Sequence, residues 1–299
     1  MQNTLLFGNG INNLSAHPIS WNHLLNQLKG RHKFSNGTLP NTLIYERALF
    51  QNHQGDDIRS SEFSLKDSIA TAFKKIESNH YHDSIIEFRF DHYLTSNYDY
   101  ALENRYLAHG YTSRHNSTED IYSVRRHNLI ENKNGKLVTS IWHLHGEIDR
   151  PMSIMLGYDQ YCGAVSKIDG YIKGTYEFTE RKKQRRIDRI EVKLRQDRFD
   201  GRSWTELFFN SNLHILGLSL DFSETDLWWL LNKRARLLAD RKTASLVRNN
   251  IYFYTPDNIT RQHEGTLRSF SVDIVKTTVN NNWSGYYDKA IRKIMARLT

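Results

Sequence analysis

Two short stretches of this sequence combine residue types that can do chemistry. Thr95-Ser96-Asn97-Tyr98-Asp99 and His143-Leu144-His145-Gly146 each follow a short apolar run that favours β-structure, over residues 88–94 and 137–142. An amide such as Asn97 hydrogen-bonds without adding charge, and a histidine with an ordinary pKa of about 6.5 can accept a proton near neutral pH. Because open α/β sheets place ligands just past their strand ends, both stretches are candidate parts of a site.

Both stretches also have plainer interpretations. Asn97 and Asp99 are common at helix N-termini, and residues 98–106 have the pattern of a helix, so either residue could simply cap it. His143 and His145 would share one face if the strand continued that far, which is a pattern that a metal pair also uses. The sequence offers no convincing third ligand, so we expect no metal.

Two turns elsewhere in the chain have the composition of phosphate-binding loops. Gly8-Asn9-Gly10-Ile11-Asn12-Asn13 follows a strand predicted at residues 4–7, and its glycines let the backbone approach a phosphate. A complete dinucleotide fingerprint needs a third glycine at position 13, so a plain tight turn remains an alternative. Gly217-Leu218-Ser219-Leu220 ends a predicted buried strand at residues 213–217 and precedes a helix, as in an anion- or ribose-binding turn. Ser223 and Asp226 also fit a capping-box variant.

The order of the remaining segments predicts the fold class. Predicted strands at residues 250–255 and 272–275 alternate with helices, which favours an α/β protein with a doubly wound, mostly parallel sheet and helical insertions. Asn134-Gly135 between two β-like runs predicts a hairpin. We expect one domain over residues 1–299, with insertions at about 19–80 and 158–210. The predicted helices cover residues 19–28, 62–76, 98–108, 158–171, 204–209, 227 to about 238, and 286–298, while residues 42–50 remain ambiguous.

The helical patterns also predict which side chains are buried. On the helix at residues 62–76 we expect Phe63, Ile69, Phe73 and Ile76 in the core, and on the next helix we expect Leu102, Tyr106 and Leu107 on one side. Cys162, the only cysteine, is interpreted as a small packing residue.

Charge and composition narrow the class of protein. The chain of 299 residues is long enough for a sizeable core, and one cysteine forms neither an intrachain disulfide nor a cysteine-rich zinc cage, which fits the cytoplasm. No run of about 20 apolar residues predicts a membrane helix, and the N-terminus lacks the features of a signal peptide. The formal net charge of +8 permits an anionic partner. Much of it lies in residues 177–198, which we interpret as a solvated insertion helix with i,i+4 pairs; a nucleic-acid surface is the alternative.

Taken together, the four motifs resemble the sirtuin family of NAD-consuming domains, and most closely the divergent sirtuin-like domains of bacterial anti-phage defence systems. The resemblance implies a Rossmann-like fold that binds NAD at the carboxyl edge of the sheet, with Asn97 and His145 as the catalytic residues. It also implies which other residues hold NAD. They are Gly8, Asn9 and Gly10 near the pyrophosphate, Asn12, Thr95 and Asp99 on the nicotinamide side, and Gly217, Ser219 and Leu220 at a phosphate or the adenosine ribose.

The resemblance further implies an activity. Protein-deacylating sirtuins carry a zinc module with paired cysteines and an acidic-arginine loop after the first glycines, and this chain has neither, so deacylation is not expected. The expected function is an NAD glycohydrolase that depletes NAD on infection, held in check by a homo-oligomer or a separately encoded sensor protein. The alternatives are a non-catalytic sensor of NAD or ADP-ribose and a nucleic-acid-binding scaffold.

Overall fold

The computed structural model describes residues 1–55, 57–116, 119, 121–180 and 182–298. Its centre is an eight-stranded sheet in the order β10-β9-β8-β1-β2-β5-β4-β3, and a separate two-stranded hairpin consists of β6 and β7. The strands are β1 (Gln2–Phe7), β2 (His92–Thr95), β3 (Thr112–Asn116), β4 (His127–Glu131), β5 (Leu137–His143), β6 (Glu177–Glu180), β7 (Lys183–Arg186), β8 (Ser211–Leu216), β9 (Ile251–Pro256) and β10 (Asp273–Thr277).

Helices connect most of these strands. They are α1 (Trp21–Leu28), α2 (Asn41–Asn52), α3 (Ile58–Phe73), α4 (His80–Ile86), α5 (Ala101–Ala108), α6 (Tyr158–Lys173), α7 (Ile190–Gln196), α8 (Leu207–Asn210), α9 (Thr225–Ala239), α10 (Arg261–Ser269) and α11 (Trp283–Met295). Short 3₁₀ turns occur at Asn12–Leu14, Pro151–Ser153, Trp204–Glu206 and Ala244–Leu246. Four helices therefore lie between β1 and β2, where a minimal βαβ unit needs only one.

The strand order creates a crevice beside β1. This strand pairs in parallel with β2 on one side and with β8 on the other, so the chain leaves it toward one half of the sheet and returns in the other half. The strands from β10 to β5 are all parallel, and only β4 and β3 add an antiparallel edge. In such sheets ligands bind where the strand order reverses, at the carboxyl ends of the strands. The expected doubly wound, mostly parallel, Rossmann-like α/β sheet is confirmed.

Both faces of the sheet are covered, as the continuous apolar runs of β1, β2 and β8 require. Leu6, Leu94 and Ile215 belong to the cluster on one face, and their neighbours Leu5 and Tyr93 belong to the cluster on the other. A third cluster packs α1, α2 and α3 against Tyr98 and Ala101, just past β2. The helices inserted after β1 therefore cover the carboxyl end of the sheet, where the candidate site lies.

The prediction of a helix over residues 177–198 is wrong for most of its length. Residues 177–180 and 183–186 are the strands of the hairpin β6–β7, and among the described residues of this segment only Ile190–Gln196 is helical. The charges that suggested i,i+4 pairs meet across the strands instead, because Glu177 lies opposite Arg186 and Glu180 lies opposite Lys183. Opposite charges at short spacing suit both arrangements. The part of the prediction that concerns Arg181 lies outside the described residues.

Several side chains also differ from their predicted burial. Phe63 is 49% exposed and Leu107 is 45% exposed, because they lie off the faces that α3 and α5 turn toward the core. The apolar side chains on those faces are Ile69, Ala70 and Phe73 on α3 and Ala101, Leu102 and Tyr106 on α5. Cys162 is exposed on α6 and is not a packing residue. Residues 42–50, ambiguous in sequence, lie within α2, and the Asn134-Gly135 hairpin between β4 and β5 is present, with Gly135 at φ 71°. Among the described helices none is long and apolar enough to cross a membrane.

Candidate functional site at the β1 switch point

The turns after β1 and β8 lie against each other. The Gly8 amide donates to the Leu216 carbonyl oxygen at 3.2 Å, and the Gly10 amide donates to the Gly217 carbonyl oxygen at 2.9 Å. A Cβ atom on Gly10 would lie 2.7 Å from that same Gly217 oxygen and would also collide with the Tyr287 hydroxyl. Glycine is therefore required here by the close approach of the two turns, a reason that applies with or without a phosphate.

Asn12 connects the first motif to the second. Its side-chain amide donates to Asp99 Oδ2 at 2.8 Å and to Asn9 Oδ1 at 3.2 Å, and the Asn9 amide donates to the Ile19 carbonyl oxygen. The other carboxylate oxygen of Asp99 accepts a hydrogen bond from the Ala101 amide at the start of α5. Asp99 thus caps the helix and binds Asn12 at the same time. Its burial raises the pKa to about 6, against the opposing effect of the Ala101 hydrogen bond.

Asn97 is held by its backbone while its side-chain amide remains available. Its backbone amide donates to Thr95 Oγ1 at 3.0 Å, and its carbonyl oxygen lies 2.9 Å from His143 Nδ1. The Nδ2 atom is buried and has no partner among the described residues. Because buried polar atoms in folded proteins nearly always have a partner, this amide is a donor in need of an acceptor.

His143 connects the Asn97 loop to Glu103 through its two ring nitrogens. Its Nε2 atom lies 2.8 Å from Glu103 Oε1, which also accepts a hydrogen bond from Asn128. Burial opposes the charged imidazole, but the Glu103 carboxylate outweighs that effect and raises the pKa of His143 to about 9. Below that pH His143 is an imidazolium that donates to both the Asn97 carbonyl oxygen and Glu103.

His145 has a different carboxylate partner. β5 ends at His143, so the two histidines do not share a strand face, and His145 Nε2 lies 3.1 Å from Asp226 Oδ2 on α9. Burial disfavours the charged form, yet Asp226 raises the pKa of His145 above its ordinary value. The ring of Tyr161 approaches the imidazole edge-on at 5.4 Å, and the Met155 amide donates to the His145 carbonyl oxygen. These contacts fix the imidazole in one orientation.

Asn97 and His145 reach the same edge of the sheet on neighbouring strands. Thr95 is the register partner of His143, and the Leu144 amide donates to the Thr95 carbonyl oxygen at 2.9 Å. Asn97 and His145 each follow these paired positions by two residues. The structure therefore brings the second and third motifs together at the carboxyl ends of β2 and β5.

Two clefts open along this edge, and Ser219 lines both. The larger has a volume of about 480 Å³, within the range of small-molecule sites, and lies over the ends of β1, β8 and β9. Its wall includes Gly10, Gly217, Tyr254, Trp283, Tyr286 and Tyr287. The smaller has about 40 Å³ and lies on the His145 side, where it is lined by Tyr98, Tyr161, Asp221, Ser223 and Glu224 among others.

The side chains of some predicted site residues are buried or already hydrogen-bonded, which limits the contacts that they can make with a ligand. The Leu220 side chain is buried in the core with φ at 48°, so only its backbone can face a ligand. Thr95 is buried, and its hydroxyl accepts from the Asn97 amide. The predicted capping role of Ser223 and Asp226 is wrong, because α9 begins without a side-chain cap and Asp226 pairs with His145.

Sequence reasoning missed other members of the site. Glu224 and Asp226 were visible only as polar residues near a helix start, and the aromatic side chains of the larger cleft had the pattern of core positions. A local pattern cannot show that Asp226 pairs with His145, because the two residues are 81 positions apart in the sequence.

The fold and this edge define a Rossmann-like α/β protein with a candidate nucleotide site at its switch point. Comparison with family models is more specific: residues 91–221 match the SIR2-like domain. The match includes Asn97, His145 and Ser219, whereas the glycines after β1 lie outside it. This part of the chain, less than half of its length, is therefore similar to a sirtuin-like domain, which suggests a function that involves NAD. No curated protein matches the sequence. Among the described residues, no three histidine, cysteine or acidic side chains cluster as ligands of a metal ion.

Proposed function

We propose that this protein is an NAD glycohydrolase, which cleaves NAD to nicotinamide and ADP-ribose. One observation carries the proposal: Asn97, whose buried side-chain amide has no partner among the described residues, and His145 each lie two residues past the paired ends of the neighbouring strands β2 and β5. The match to the SIR2-like domain supports NAD as the ligand. Asn97 and His145 are the residues we assign to catalysis.

Cleavage of NAD requires few side chains of the protein. The bond between the ribose and the cationic nicotinamide ring breaks through an oxocarbenium-like transition state, by analogy with other glycosyl transfers. Asn97 holds a ribose hydroxyl or the water through its amide. His145 acts as base toward a ribose hydroxyl, and its raised pKa means that the neutral, basic form gains population as the pH rises. Asp99, already bound by Asn12 and Ala101, shapes the nicotinamide side.

The larger cleft suits the other half of the dinucleotide. We assign the pyrophosphate to the turns that contain Gly8, Gly10, Gly217 and Ser219, and the adenosine to the aromatic wall that Tyr254 and Tyr286 help to form. Aromatic side chains offer a base a large apolar surface. Because Ser219 lines both clefts, a ligand in the larger cleft lies next to the opening of the smaller one.

We place this activity in anti-phage defence, as an effector that depletes NAD on infection. A toxic hydrolase must be restrained in healthy cells, so we propose control by self-assembly or by a separately encoded sensor protein. The hairpin β6–β7 is the candidate docking surface, because Lys182, Lys183, Arg185 and Arg186 are all exposed on it. The same charges keep nucleic acid as an alternative partner for residues 177–198.

The test is release of nicotinamide from NAD by the purified full-length chain, followed over time and over a range of protein concentration. Release that needs Asn97 and His145 supports the proposal. Saturable binding of NAD or ADP-ribose without release favours a non-catalytic sensor. Binding of nucleic acid that weakens steeply with salt and ignores Asn97→Ala favours a scaffold protein.

A further inference from the structure

Glu224 brings a second carboxyl group to the His145–Asp226 pair. It directly precedes α9, and its backbone amide donates to the Asp221 carbonyl oxygen at 3.0 Å, which fixes the turn. Its side chain makes no capping hydrogen bond, and its Oε2 atom is buried without a partner among the described residues. A buried oxygen in this state requires a donor, and the described part of the chain does not provide one.

The space beside this oxygen has the size of a water site. Glu224 lines the smaller cleft with Tyr98 and Tyr161, and its volume of about 40 Å³ compares with about 30 Å³ for one water in the liquid. Asp226, whose carboxylate acts on that of Glu224, also has a buried oxygen without a partner among the described residues, Oδ1. An ordered water, which makes two to four hydrogen bonds, is the kind of donor that the Glu224 oxygen lacks.

We propose that Glu224 accepts the proton of the water molecule that attacks NAD. The inference rests on the proposed function, because it assigns a further residue to the same reaction. His145, oriented by Asp226, is then free to serve the ribose hydroxyl. The two proton transfers thereby fall to two separate groups on neighbouring elements.

The step balances without another reactant. The water oxygen forms a bond to the anomeric carbon of the nicotinamide ribose while the bond from that carbon to the ring nitrogen breaks. The electron pair of the broken bond neutralises the pyridinium, so nicotinamide leaves uncharged. The water proton passes to the Glu224 carboxylate and then to solvent, and the products are nicotinamide, ADP-ribose and one proton.

The surroundings of Glu224 set the pH at which it can accept a proton. Burial raises its pKa to about 8; the His145 imidazole opposes this shift, and Asp226 and Asp221 add to it. A carboxyl accepts a proton only when ionised, so hydrolysis should rise with pH through about pH 8. Five titratable groups act on this carboxyl: His145 after β5, Asp226 on α9, Asp221 in the turn, Tyr98 after β2 and Tyr161 on α6.

The decisive variant is Glu224→Gln in the full-length chain. Glutamine keeps the size and the donor capacity of a protonated carboxyl but cannot accept a proton, so the fold is preserved. We expect nicotinamide release to fall by about 10²–10⁴-fold, and the rise through about pH 8 that Glu224 causes to disappear, so that only the pH dependence of His145 remains. The affinity for NAD, measured by calorimetry, should change by less than about threefold, since the lost proton transfer occurs only in the reaction. Glu87→Gln, at the exposed end of α4, is the matched control and should retain wild-type rates.

Azide separates a proton acceptor from a structural carboxyl. This anion attacks the anomeric carbon without losing a proton, so adding azide should restore nicotinamide release in Glu224→Gln. Full activity of Glu224→Gln without azide overturns the inference and leaves the proposed function standing. Loss of activity that azide does not restore, with NAD still bound, also overturns it. A wild-type chain that binds NAD and releases no nicotinamide contradicts the proposed function and the inference together.

Discussion

The side-chain amide of Asn12 donates a 2.8 Å hydrogen bond to the carboxylate of Asp99, which is 87 positions later in the chain. The bond joins the turn after β1, which lies outside the matched SIR2-like region, to the loop after β2, which lies inside it. Asp99 also binds the first turn of α5, and Asn12 binds Asn9. The two halves of the candidate site are thus held together by side chains rather than by strand pairing alone.

Replacing Asn12 by alanine should destabilise the protein. The substitution leaves a buried oxygen of Asp99 without its donor, and hydrogen bonds to charged groups contribute about 1.5–3 kcal/mol. We expect the free energy of unfolding in urea to fall by that amount. Asn13→Ala is the control, because Asn13 is exposed and its loss should change stability by less than about 0.5 kcal/mol. Equal effects of the two variants would show that the bond to Asp99 adds nothing.

Asn97→Ala and His145→Ala should each remove NAD cleavage. A base contributes about 10²–10⁴-fold to a rate, so the His145 variant should lose at least about two orders of magnitude in nicotinamide release. Asn97→Ala should lose activity because no other described group replaces its amide. His109→Ala is the matched control, since His109 is 49% exposed at the end of α5 and pairs only with Asp83 among the described residues. Persistent activity in both site variants would reject the assignment.

Asp226→Asn should move the pH dependence of the reaction to lower pH. Burial lowers the pKa of His145 and the Asp226 carboxylate raises it, so removing that charge lowers the pKa from its value in the wild type. The neutral imidazole is then fully populated at a lower pH. The expected result is a rate that rises at lower pH than in the wild type, with a lower maximum because the imidazole has lost its orienting partner. Asp240→Asn, exposed at the other end of α9, should leave the profile unchanged.

The pair of His143 and Glu103 should make stability depend on pH. The pKa of His143 is about 9 in the folded protein and about 6.5 in the unfolded chain, so folding binds a proton between these values. The stabilisation is complete below about pH 6.5 and is lost as the pH rises through about 9. Urea unfolding at a series of pH values should show this decline.

Glu103→Gln tests that dependence directly. The variant leaves a buried imidazolium without its carboxylate, and breaking a buried pair costs about 3–5 kcal/mol near neutral pH. The histidine then favours its neutral form, so the decline of stability above pH 6.5 should vanish. Glu131→Gln breaks a surface pair with Arg114 and should cost about 0–1 kcal/mol. A decline that persists in Glu103→Gln would assign it to other groups.

Gly10→Ala should damage both stability and ligand binding. The added methyl meets the Gly217 carbonyl oxygen and the Tyr287 hydroxyl, so the turns after β1 and β8 must separate. Overpacking of this kind costs about 1–3 kcal/mol. We expect a lower midpoint of thermal unfolding and weaker NAD binding by calorimetry. Gly265→Ala on α10 meets no atom within 4 Å and should stabilise the helix, by about 0.5–1 kcal/mol. A tolerated Gly10→Ala would refute the close contact.

Local patterns were enough for much of the fold. The apolar runs that became β1, β8 and β9 are long enough and bounded clearly enough to identify buried strands, and the parallel sheet follows from their alternation with helices. The wrong predictions concern segments whose residue pattern is compatible with two different secondary structures. Charged residues at short spacing pair equally well along a helix and across a hairpin, so the helix predicted over residues 177–180 and 183–186 is wrong.

The candidate site also has features that the sequence predicts and features that depend on the tertiary structure. The sequence alone indicated that Asn97 and His145 each follow a strand, because strand ends and motif residues are local features. That these two strands are neighbours was decided by the sheet. Only the tertiary structure decided which carboxylates act on each histidine: Glu103 pairs with His143, 40 positions away, and Asp226 pairs with His145, 81 positions away. Burial and partner charge set a pKa, and both depend on residues that meet only when the sheet and α9 have packed together. The residues next to each histidine in the sequence do not reveal these long-range contacts.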